Sequence, residues 1–572
     1  MLKNLPSTPD AILAMEWADY EPHFKSLQLT QLTPENVNSW LLGWSALADR
    51  LDEQYTRLFI ATTQFTNAEE LEKRFNHFVE SIQPRARTEE QKLKEKLLAS
   101  GIQTANFKMG LKKLRAEADI FREANLELLV EEQKLNAEYN RIQGSQTVLW
   151  EGEERTSSQM HSLLFEKERA TREKAWRAWT GARLKNRDAV NNLWKKFMAV
   201  RLKIAHNAGL PDYRSYMWAQ RFRFDYSPED CKTFHKAIEE VVVPAVKRIY
   251  EKRRQKLGIE SVRPWDQEVD VSTASPLKPY QTVDEFKSKS RDIFTKVDPK
   301  FGEYFQTMIA ENLLDLDSRK NKAPGGYNLI YGVSKRPFIF MNNSGTHGDV
   351  ATILHEGGHA FHAFEAGVVP YFHERSENYV PAEFAEVASM AMELIASPYI
   401  TKEHGGFYTE SEAARARLEH LEGIITFWPY MAVVDAFQHW VYENPKDGSD
   451  PILCENQWGE LWDRFMPYVD YSGLEDAKKT FWHRQLHIHT IPFYYIEYGL
   501  AQLGALQVWA NALKDQQKAV EDYRKALALG STVSLPELFQ AAGAKFSFDA
   551  QTLHACVELI ESQMERLEQV KE

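Results

Sequence analysis

The sequence predicts a mainly α-helical protein that folds into two lobes and carries a small β-sheet. Its 572 residues exceed what one compact core usually holds, so at least two lobes that share a large interface are expected. Apolar residues recur at spacings of three and four over long stretches, whereas strand-like runs are scarce. With 43% hydrophobic and 27% charged residues, the composition is typical of a globular protein.

The charge balance and the apolar runs exclude two classes of partner. There are 70 Lys and Arg residues against 82 Asp and Glu, and the formal net charge is −12. An acidic chain lacks the basic surface that binds nucleic acid or anionic lipid. Among the longest apolar stretches is 423–434, which is shorter than the roughly 20 residues of a spanning helix and contains Pro429. We therefore expect no nucleic-acid partner and no membrane association.

Cysteine usage and the N-terminal segment indicate the compartment. The three cysteines lie far apart without C-x-x-C spacing, which argues against a disulfide framework and against a thiolate-based zinc site; they are Cys231, Cys454 and Cys556. The segment Met1–Trp17 contains proline and two acidic residues where a signal peptide needs an unbroken apolar stretch. A cytoplasmic location is therefore expected.

From about residue 35 to 220 the chain reads as a succession of long amphipathic helices. Four apolar residues spaced by four, three and four positions illustrate the pattern: Leu71, Phe75, Phe78 and Ile82. Charged residues lie between them, as on the solvated side of a packed helix. The pattern predicts helices that bury one face, and by itself it indicates packing rather than chemistry.

A short strand is predicted in the middle of the chain. Pro337–Met341 (PFIFM) is an apolar run between a Lys-Arg pair and an Asn-Asn pair. It follows the loop Asp317–Tyr327, whose Pro-Gly-Gly sequence strongly favours a turn. We expect a small sheet that packs beside the next helix.

Two helices are predicted after this strand. Asp349 is the predicted N-cap of the first, which runs to about Glu365. Pro381 suits the first turn of the second, which ends before Pro398. The polar groups that carry the chemical argument lie on these two helices.

The first helix contains the motif His-Glu-x-x-His, formed by His355, Glu356 and His359. A spacing of four residues places both imidazoles on one helix face, where they can bind a single zinc ion. Glu356 is rotated by roughly 100° from His355, so it can reach a water on the metal without binding the ion itself. The consecutive glycines Gly357 and Gly358 disfavour an ordinary surface helix and predict close approach by another backbone or a substrate.

The third metal ligand is predicted on the second helix. Three glutamates interrupt its apolar, small-residue sequence: Glu383, Glu386 and Glu393. Buried carboxylates need a cation or hydrogen-bond partners. We interpret Glu386 as the ligand and Glu393, seven residues later on the same face, as a group that orients one of the imidazoles. Glu383 is the reserve candidate.

A third cluster, residues 483–498, places three histidines and three tyrosines within sixteen residues. Peptide hydrolysis builds negative charge on the carbonyl oxygen, and neutral O–H or N–H donors aimed at that oxygen lower the barrier. The candidates are Tyr495 and Tyr498, with His487 or His489. The alternative is that these residues are packing aromatics with satisfied hydroxyls.

These motifs resemble the oligoendopeptidase F and thimet oligopeptidase family of zinc metallopeptidases, and more closely its oligoendopeptidase F branch. The family pattern H-E-x-G-H-x-x-H is matched from His355 to His362, and its glutamate helix by Glu386. The resemblance extends over about residues 200–500 and implies a mainly helical, two-lobed protein with a deep central channel for oligopeptides. It also implies a helical region over 1–195, a zincin-like catalytic domain over 196–572, and one Zn²⁺ per chain.

By the same resemblance, the PFIFM strand would be an edge that binds the extended substrate through Phe338, Ile339 and Phe340. The predicted function is a zinc-dependent endopeptidase with Glu356 as general base. Two alternatives stay open: a metallocarboxypeptidase, for which Arg484 would bind the terminal carboxylate, and a catalytically inert peptide-binding relative. The oligomeric state is left open.

Overall fold

Helices make up 71% of the protein in the computed structural model, which describes residues 5–271 and 276–570. This confirms the mainly α-helical class. The first four residues of the N-terminal segment discussed above lie outside the described residues. Among the described residues, none of the helices has both the length and the apolar character that crossing a membrane requires.

The smaller of two hydrophobic cores is built by N-terminal helices and spans Met15 to Leu114, with Tyr371 added from far along the chain. The predicted amphipathic pattern at Leu71–Ile82 lies here, where a π-helical turn at Phe78–Ile82 joins two α-helices. Its longer helices are Trp17–Leu29, Val37–Gln64, Glu69–His77, Gln83–Ala99 and Lys108–Ile120.

The larger hydrophobic core takes Ile60 and Ile120 from the N-terminal helices and otherwise extends from the helix Leu126–Gly144 to the end of the described chain. The helices between 126 and 207 contribute residues to this larger core. The longer helices of this lobe are Leu126–Gly144, Arg169–Lys185, Arg187–Asn207, Tyr213–Gln220, Pro228–Ala237, Val243–Leu257, Val283–Val297, Pro299–Ala310, His347–Ala366, Ala382–Ala396, Glu410–Glu443, Pro451–Phe465, Tyr495–Ala512, Gln516–Ala528 and Ala550–Leu567.

The strands form a hairpin and a three-stranded sheet. The hairpin pairs β1 (Thr147–Trp150) with β2 (Glu153–Thr156). The sheet has the order β3-β5-β4 and is built from β3 (Leu314–Asp317), β4 (Tyr327–Tyr331) and β5 (Arg336–Asn343). The strand β5 pairs in parallel with β3 and antiparallel with β4, and it leads directly into the helix that carries the histidine motif.

The prediction that the PFIFM strand is a substrate-binding edge is wrong. This segment lies in β5, whose two sides are both hydrogen-bonded to neighbouring strands. Phe338, Ile339 and Phe340 are 5%, 0% and 0% exposed, so their side chains belong to the core. A run with apolar residues on both faces is typical of a central strand. The antiparallel edge of the sheet is β4.

The helix His347–Ala366, called the motif helix below, begins one turn earlier than predicted. Thr346 is its N-cap, and Asp349 stands at the third helical position in a capping box. The Asp349 carboxylate accepts hydrogen bonds from the backbone N–H groups of Ser344, Gly345 and Thr346 at 3.0, 2.7 and 3.0 Å. The predicted N-cap is therefore wrong by three residues, although the residue does stabilise the helix start.

The motif helix packs closely on the helix Ala382–Ala396, called the glutamate helix below. A Cβ at Gly358 would lie 2.4 Å from the carbonyl oxygen of Ala388 and 2.6 Å from Cα of Ser389. A Cβ at Gly357 would lie 2.5 Å from the ring of Phe294. A side chain at either position would therefore collide with neighbouring atoms. The absence of one at Gly358 allows the backbones of the two helices to touch.

We expect Gly358→Ala to lower the free energy of unfolding by about 1–3 kcal/mol, because the added methyl group must push two backbones apart. The matched control is Gly423→Ala, at an exposed position inside the helix Glu410–Glu443, where an added Cβ would meet no heavy atom within 4 Å apart from its own helix backbone and chain neighbours. That change should stabilise the protein by about 1 kcal/mol through helix propensity. Chemical denaturation measures both, and a Gly358→Ala protein as stable as the parent would contradict the proposed packing.

Candidate active site

Two histidines of the motif helix and one glutamate of the glutamate helix converge on a common point. Oε2 of Glu386 lies 3.4 Å from Nε2 of His355 and 3.6 Å from Nε2 of His359. The candidate ligand atoms of these three residues all lie within 4.8 Å of one another. Ligands held at 2.0–2.2 Å around one tetrahedral zinc are separated by roughly 3.3 Å, so the donor set fits such an ion.

Glu393 orients His355 by contacting Nδ1, the ring nitrogen other than the one that faces Glu386. Its Oε1 accepts a hydrogen bond of 2.6 Å from Nδ1 of His355, and its Oε2 accepts one of 2.7 Å from Nε2 of His420. Burial favours the neutral acid, but the two histidines outweigh it and lower the pKa of Glu393 to about 2. Since an ionised carboxylate only accepts, Nδ1 of His355 donates to Glu393 and Nε2 faces the ligand point. Burial lowers the pKa of His355, but the hydrogen bond to Glu393 and the charge of Glu386 outweigh it and raise the pKa to about 9, so a bound metal would have to displace the Nε2 proton.

The glutamate helix places Glu386 beside the two histidines, whereas Glu383 on the same helix contacts other residues. Ser389 donates a hydrogen bond of 2.9 Å to Oε2 of Glu386, which fixes the carboxylate beside the histidines. Glu383 instead accepts a bond of 2.6 Å from the hydroxyl of Tyr226 and lies 3.9 Å from Nε of Arg223. It is absent from the convergent group of described residues, so the structure favours Glu386 over the reserve candidate.

Glu356 lies on the wall of the same cavity as the histidines. Burial, together with the charges of Glu386 and Glu393, raises its pKa to about 7 against the opposing effect of His355. Its backbone carbonyl accepts a hydrogen bond of 3.2 Å from the side chain of Asn328 on β4, which ties the edge strand to the motif helix. Glu356 therefore lines the cavity beside the two histidines, on a helix that is tied to the edge strand.

His362, the last histidine of the motif, is placed differently from the other two. It is buried, it lines the cavity, and its Nε2 has no hydrogen-bond partner among the described residues. Burial lowers its pKa to about 4, so the ring is neutral. It packs edge-on against Phe384 and lies outside the convergent ligand group.

The tyrosine and histidine candidates divide into two sets. Tyr498 lines the cavity, and the ring of His487 lies 6.0 Å from its ring. Tyr495 does not line the cavity but packs on Phe427. His489 is fully buried and stacked between Tyr139 and Trp482, and its Nδ1 bonds to the backbone carbonyl of Gln485. Of these four candidates, Tyr498 lines the cavity, whereas His487 packs behind it without lining the cavity, and Tyr495 and His489 do not line it either.

Sequence reasoning missed Tyr494. Its hydroxyl lies 3.4 Å from Oε1 of Glu386, and its ring lines the cavity beside Tyr498. The helical spacing was an available signal, since Tyr494 and Tyr498 are four residues apart and share a face, whereas Tyr495 is rotated by roughly 100° from Tyr494. Burial and the charge of Glu386 raise the pKa of Tyr498 to about 12, so its phenol is a hydrogen-bond donor at neutral pH.

The convergent residues face an interior cavity of about 600 Å³. The edge strand contributes Tyr327, Asn328 and Ile330 to its wall. A second cavity of about 940 Å³ shares Ile330 and Tyr379 with the first and is lined on its far side by N-terminal helices. The space next to the histidines therefore continues between the two cores.

Arg484, the candidate for a terminal-carboxylate pocket, lies away from this space. Its guanidinium stacks over the rings of Trp179 and Phe481 at 5.2 and 4.7 Å, and it lines neither cavity. Two other arginines do line the cavity. Arg221 bonds to the backbone carbonyl of Pro492 and to Glu497, and Arg375 is paired with Asp49. Both cavity arginines already have partners in the protein.

Curated proteins are similar to this chain in sequence. An oligoendopeptidase F homologue from Mycoplasma genitalium is 24% identical over 409 residues, which cover 68% of this chain and 64% of that protein. The chain thus spans less than two thirds of the length of that curated relative. A match to the model of peptidase family M3 extends over residues 162–558.

Solved structures share the fold over nearly the whole chain. A 3.1 Å X-ray structure assigned as oligoendopeptidase F superposes with a TM-score of 0.85 at 27% identity, covering 97% of each chain. PZ peptidase A with a bound inhibitor gives the same TM-score and identity, covering 98% of each chain. The resemblance drawn from the motifs is confirmed. Because the family match extends over more than half of the sequence, this protein belongs to peptidase family M3.

Proposed function

We propose that this protein is a zinc-dependent endopeptidase that hydrolyses internal bonds of oligopeptides. The observation that carries the proposal is the convergence of His355, His359 and Glu386 on one point in the wall of an interior cavity. Membership of a peptidase family and the names of the relatives support a peptide substrate. The helical, two-lobed architecture supports access through the space between the lobes.

His355, His359 and Glu386 would hold the catalytic ion. When bound, Zn²⁺ polarises the scissile carbonyl and lowers the pKa of a water toward about 7. The bond from His355 Nδ1 to Glu393 keeps the other ring nitrogen free for coordination. The glutamate beside the first histidine, Glu356, stays outside this ligand set and keeps its carboxyl group available.

Glu356 would act as the general base and then as the general acid. A carboxyl group whose pKa lies near the working pH can take a proton from the attacking water and return it to the leaving amine. Burial and neighbouring carboxylates raise the pKa of Glu356 to about 7 and so support this role. The bond from Asn328 to its backbone holds the residue in place.

Tyr494 and Tyr498 would stabilise the oxyanion, with His487 packed behind them. Both phenols line the cavity, and their raised pKa values keep them protonated and able to donate. His487 is neutral, since burial and the nearby Arg221 lower its pKa to about 4. Of the predicted candidates, Tyr498 is kept, Tyr494 takes the place of Tyr495, and His487 is favoured over His489.

The edge strand β4 supports binding of an extended peptide. Its residues Tyr327, Asn328 and Ile330 face the cavity, so a peptide that lies beside them can add to the sheet through backbone hydrogen bonds. Adjoining cavities of about 600 and 940 Å³ suit a flexible peptide of several residues and exclude a folded domain.

The two rival functions have less support. A carboxypeptidase needs a free cationic group for the terminal carboxylate, whereas Arg484 lies outside the cavity and Arg221 and Arg375 have acidic partners. A catalytically inert relative has no need to keep a general base next to a set of metal ligands. Here Glu356 lines the same cavity as the complete set of three proposed ligands.

An internally quenched peptide with both ends blocked is the direct substrate test. We expect cleavage at an interior bond, loss of cleavage after treatment with a chelator, and recovery when Zn²⁺ is restored. Mass spectrometry of the products locates the bond. Cleavage confined to peptides with a free C-terminal carboxylate would instead favour the carboxypeptidase, and a zinc-loaded protein that cleaves neither would favour the inert relative.

Glu356→Gln should reduce turnover by about 10²–10⁴-fold or more, because the amide cannot take the proton from water. Zinc content should stay at the parent level, since the ligand set is unchanged. Turnover is measured with the quenched peptide and zinc by elemental analysis. Parent-like turnover in a zinc-loaded Glu356→Gln protein would remove this residue from its assigned role.

Tyr494→Phe and Tyr498→Phe should each lower kcat by about 10²–10³-fold if each phenol stabilises the developing oxyanion, with a smaller change in KM. Tyr495→Phe is the matched control, because its side chain packs on Phe427 outside the cavity. It should retain kcat within a few-fold of the parent. The reverse order of effects would restore Tyr495 as the donor.

A further inference from the structure

Two helices of the larger core each present a pair of metal-binding side chains four residues apart. One helix carries Cys231 and His235, and the other carries Asp435 and His439. The helices are Pro228–Ala237 and Glu410–Glu443. A spacing of four residues directs both side chains of a pair to the same helix face, so two such pairs can meet across a helix interface.

The four side chains meet in the core, apart from the catalytic cavity. Cys231, His235, Asp435 and His439 are 0%, 4%, 0% and 2% exposed, and none of them lines that cavity. The candidate ligand atoms of Cys231, Asp435 and His439 lie within 4.8 Å of one another. The described residues thus contain a second convergent ligand group besides the catalytic one.

The contacts in this cluster leave one buried carboxylate oxygen without a partner. Oδ2 of Asp435 accepts a bond of 2.8 Å from Nε2 of His235, which fixes the orientation of the carboxylate. Nε2 of His439 lies 3.3 Å from the same oxygen, at ion-pair distance. Oδ1 of Asp435 has no hydrogen-bond partner among the described residues, although it is buried. Buried polar atoms in native proteins are nearly always satisfied, so Oδ1 points to a missing partner.

Charge balance favours a divalent cation as that partner. Among the described residues, the buried Asp435 carboxylate pairs with two imidazoles, His235 and His439, and with no lysine or arginine. A coordinating metal deprotonates a thiol outright. One thiolate, one carboxylate and one Zn²⁺ sum to zero, so the occupied cluster is neutral. A mixed sulfur, nitrogen and oxygen donor set suits Zn²⁺.

Arg214 contacts the cluster through His439. Because a guanidinium only donates, Nδ1 of His439 accepts from it and the ring proton lies on Nε2 in the structure, so metal binding would move that proton to Nδ1. Nη1 of Arg214 lies 3.3 Å from Nδ1 of His439 and 2.5 Å from Oε1 of Glu443. Coordination through Nε2 places the imidazole proton of His439 on Nδ1, where it no longer accepts from Arg214. The guanidinium keeps its shorter bond to Glu443.

We propose that Cys231, Asp435 and His439 bind a second, structural Zn²⁺, with His235 holding the carboxylate in place. The ion would join the helix Pro228–Ala237 to the helix that also carries His420, the partner of Glu393. Two expectations from the sequence would then be wrong. One is that each chain binds a single ion, and the other is that the absence of C-x-x-C spacing argues against a thiolate ligand. A site built from one cysteine and residues about 200 positions away leaves no C-x-x-C signature.

Cobalt substitution of the full-length protein tests the proposal directly. Coordination of Co²⁺ by thiolate gives an intense near-ultraviolet charge-transfer band, and the catalytic ligands contain no sulfur. We expect the band in the parent protein and its loss in Cys231→Ala. The matched control is Cys454→Ala, which removes another fully buried cysteine outside the cluster and should keep the band. Absence of the band in the fully cobalt-loaded parent overturns the proposal, whether or not the Cys231→Ala protein folds.

Zinc stoichiometry separates this site from the catalytic one. Elemental analysis should give two ions per chain in the parent, one in Cys231→Ala and one in His359→Ala, with the cobalt band retained in His359→Ala. A single ion in the parent that persists in Cys231→Ala overturns the second site. A single ion that disappears in Cys231→Ala but persists in His359→Ala supports the second site and contradicts the catalytic metal instead.

Discussion

The active-site arrangement depends on direct contact between the backbones of the motif helix and the glutamate helix. At Gly358 a side chain is excluded by the carbonyl of Ala388 and by Cα of Ser389. This close approach brings the carboxylate of Glu386 to 3.4 and 3.6 Å from the two imidazoles. With a larger residue at Gly358 the helices would separate, and the three groups would no longer fit around one ion.

Buried charge around these helices is balanced by specific partners. Glu393 lies between His355 and His420, so one carboxylate satisfies two imidazoles from different helices. Arg223 lies between Glu383 on the glutamate helix and Glu497 on the helix Tyr495–Ala512, 3.9 and 2.7 Å away. These contacts tie together the elements that carry the proposed ligands and the proposed oxyanion donors. Because a buried charge without a partner is costly, these contacts also fix the rotation of each helix about its own axis.

Much of the local structure was predictable because it depends on neighbours in the chain. The two helices and the short strand were found from turn residues, prolines and apolar runs, with an error of three residues at Asp349. The errors of placement concern long-range contacts. The burial of Phe340 in a central strand depends on pairing with β3, and the burial of His489 depends on Tyr139, about 350 residues away.

The sequence by itself determined the helical class, the family resemblance and the spacing of His355, Glu356 and His359, because helical periodicity is a property of consecutive residues. Tertiary structure decided which strand is the sheet edge, which glutamate meets the histidines, and that Tyr494 rather than Tyr495 faces the cavity. It also brought Cys231 to Asp435. These outcomes depend on how helices and strands distant in sequence pack together. The spacing of residues within one helix or strand carries no information about that long-range packing.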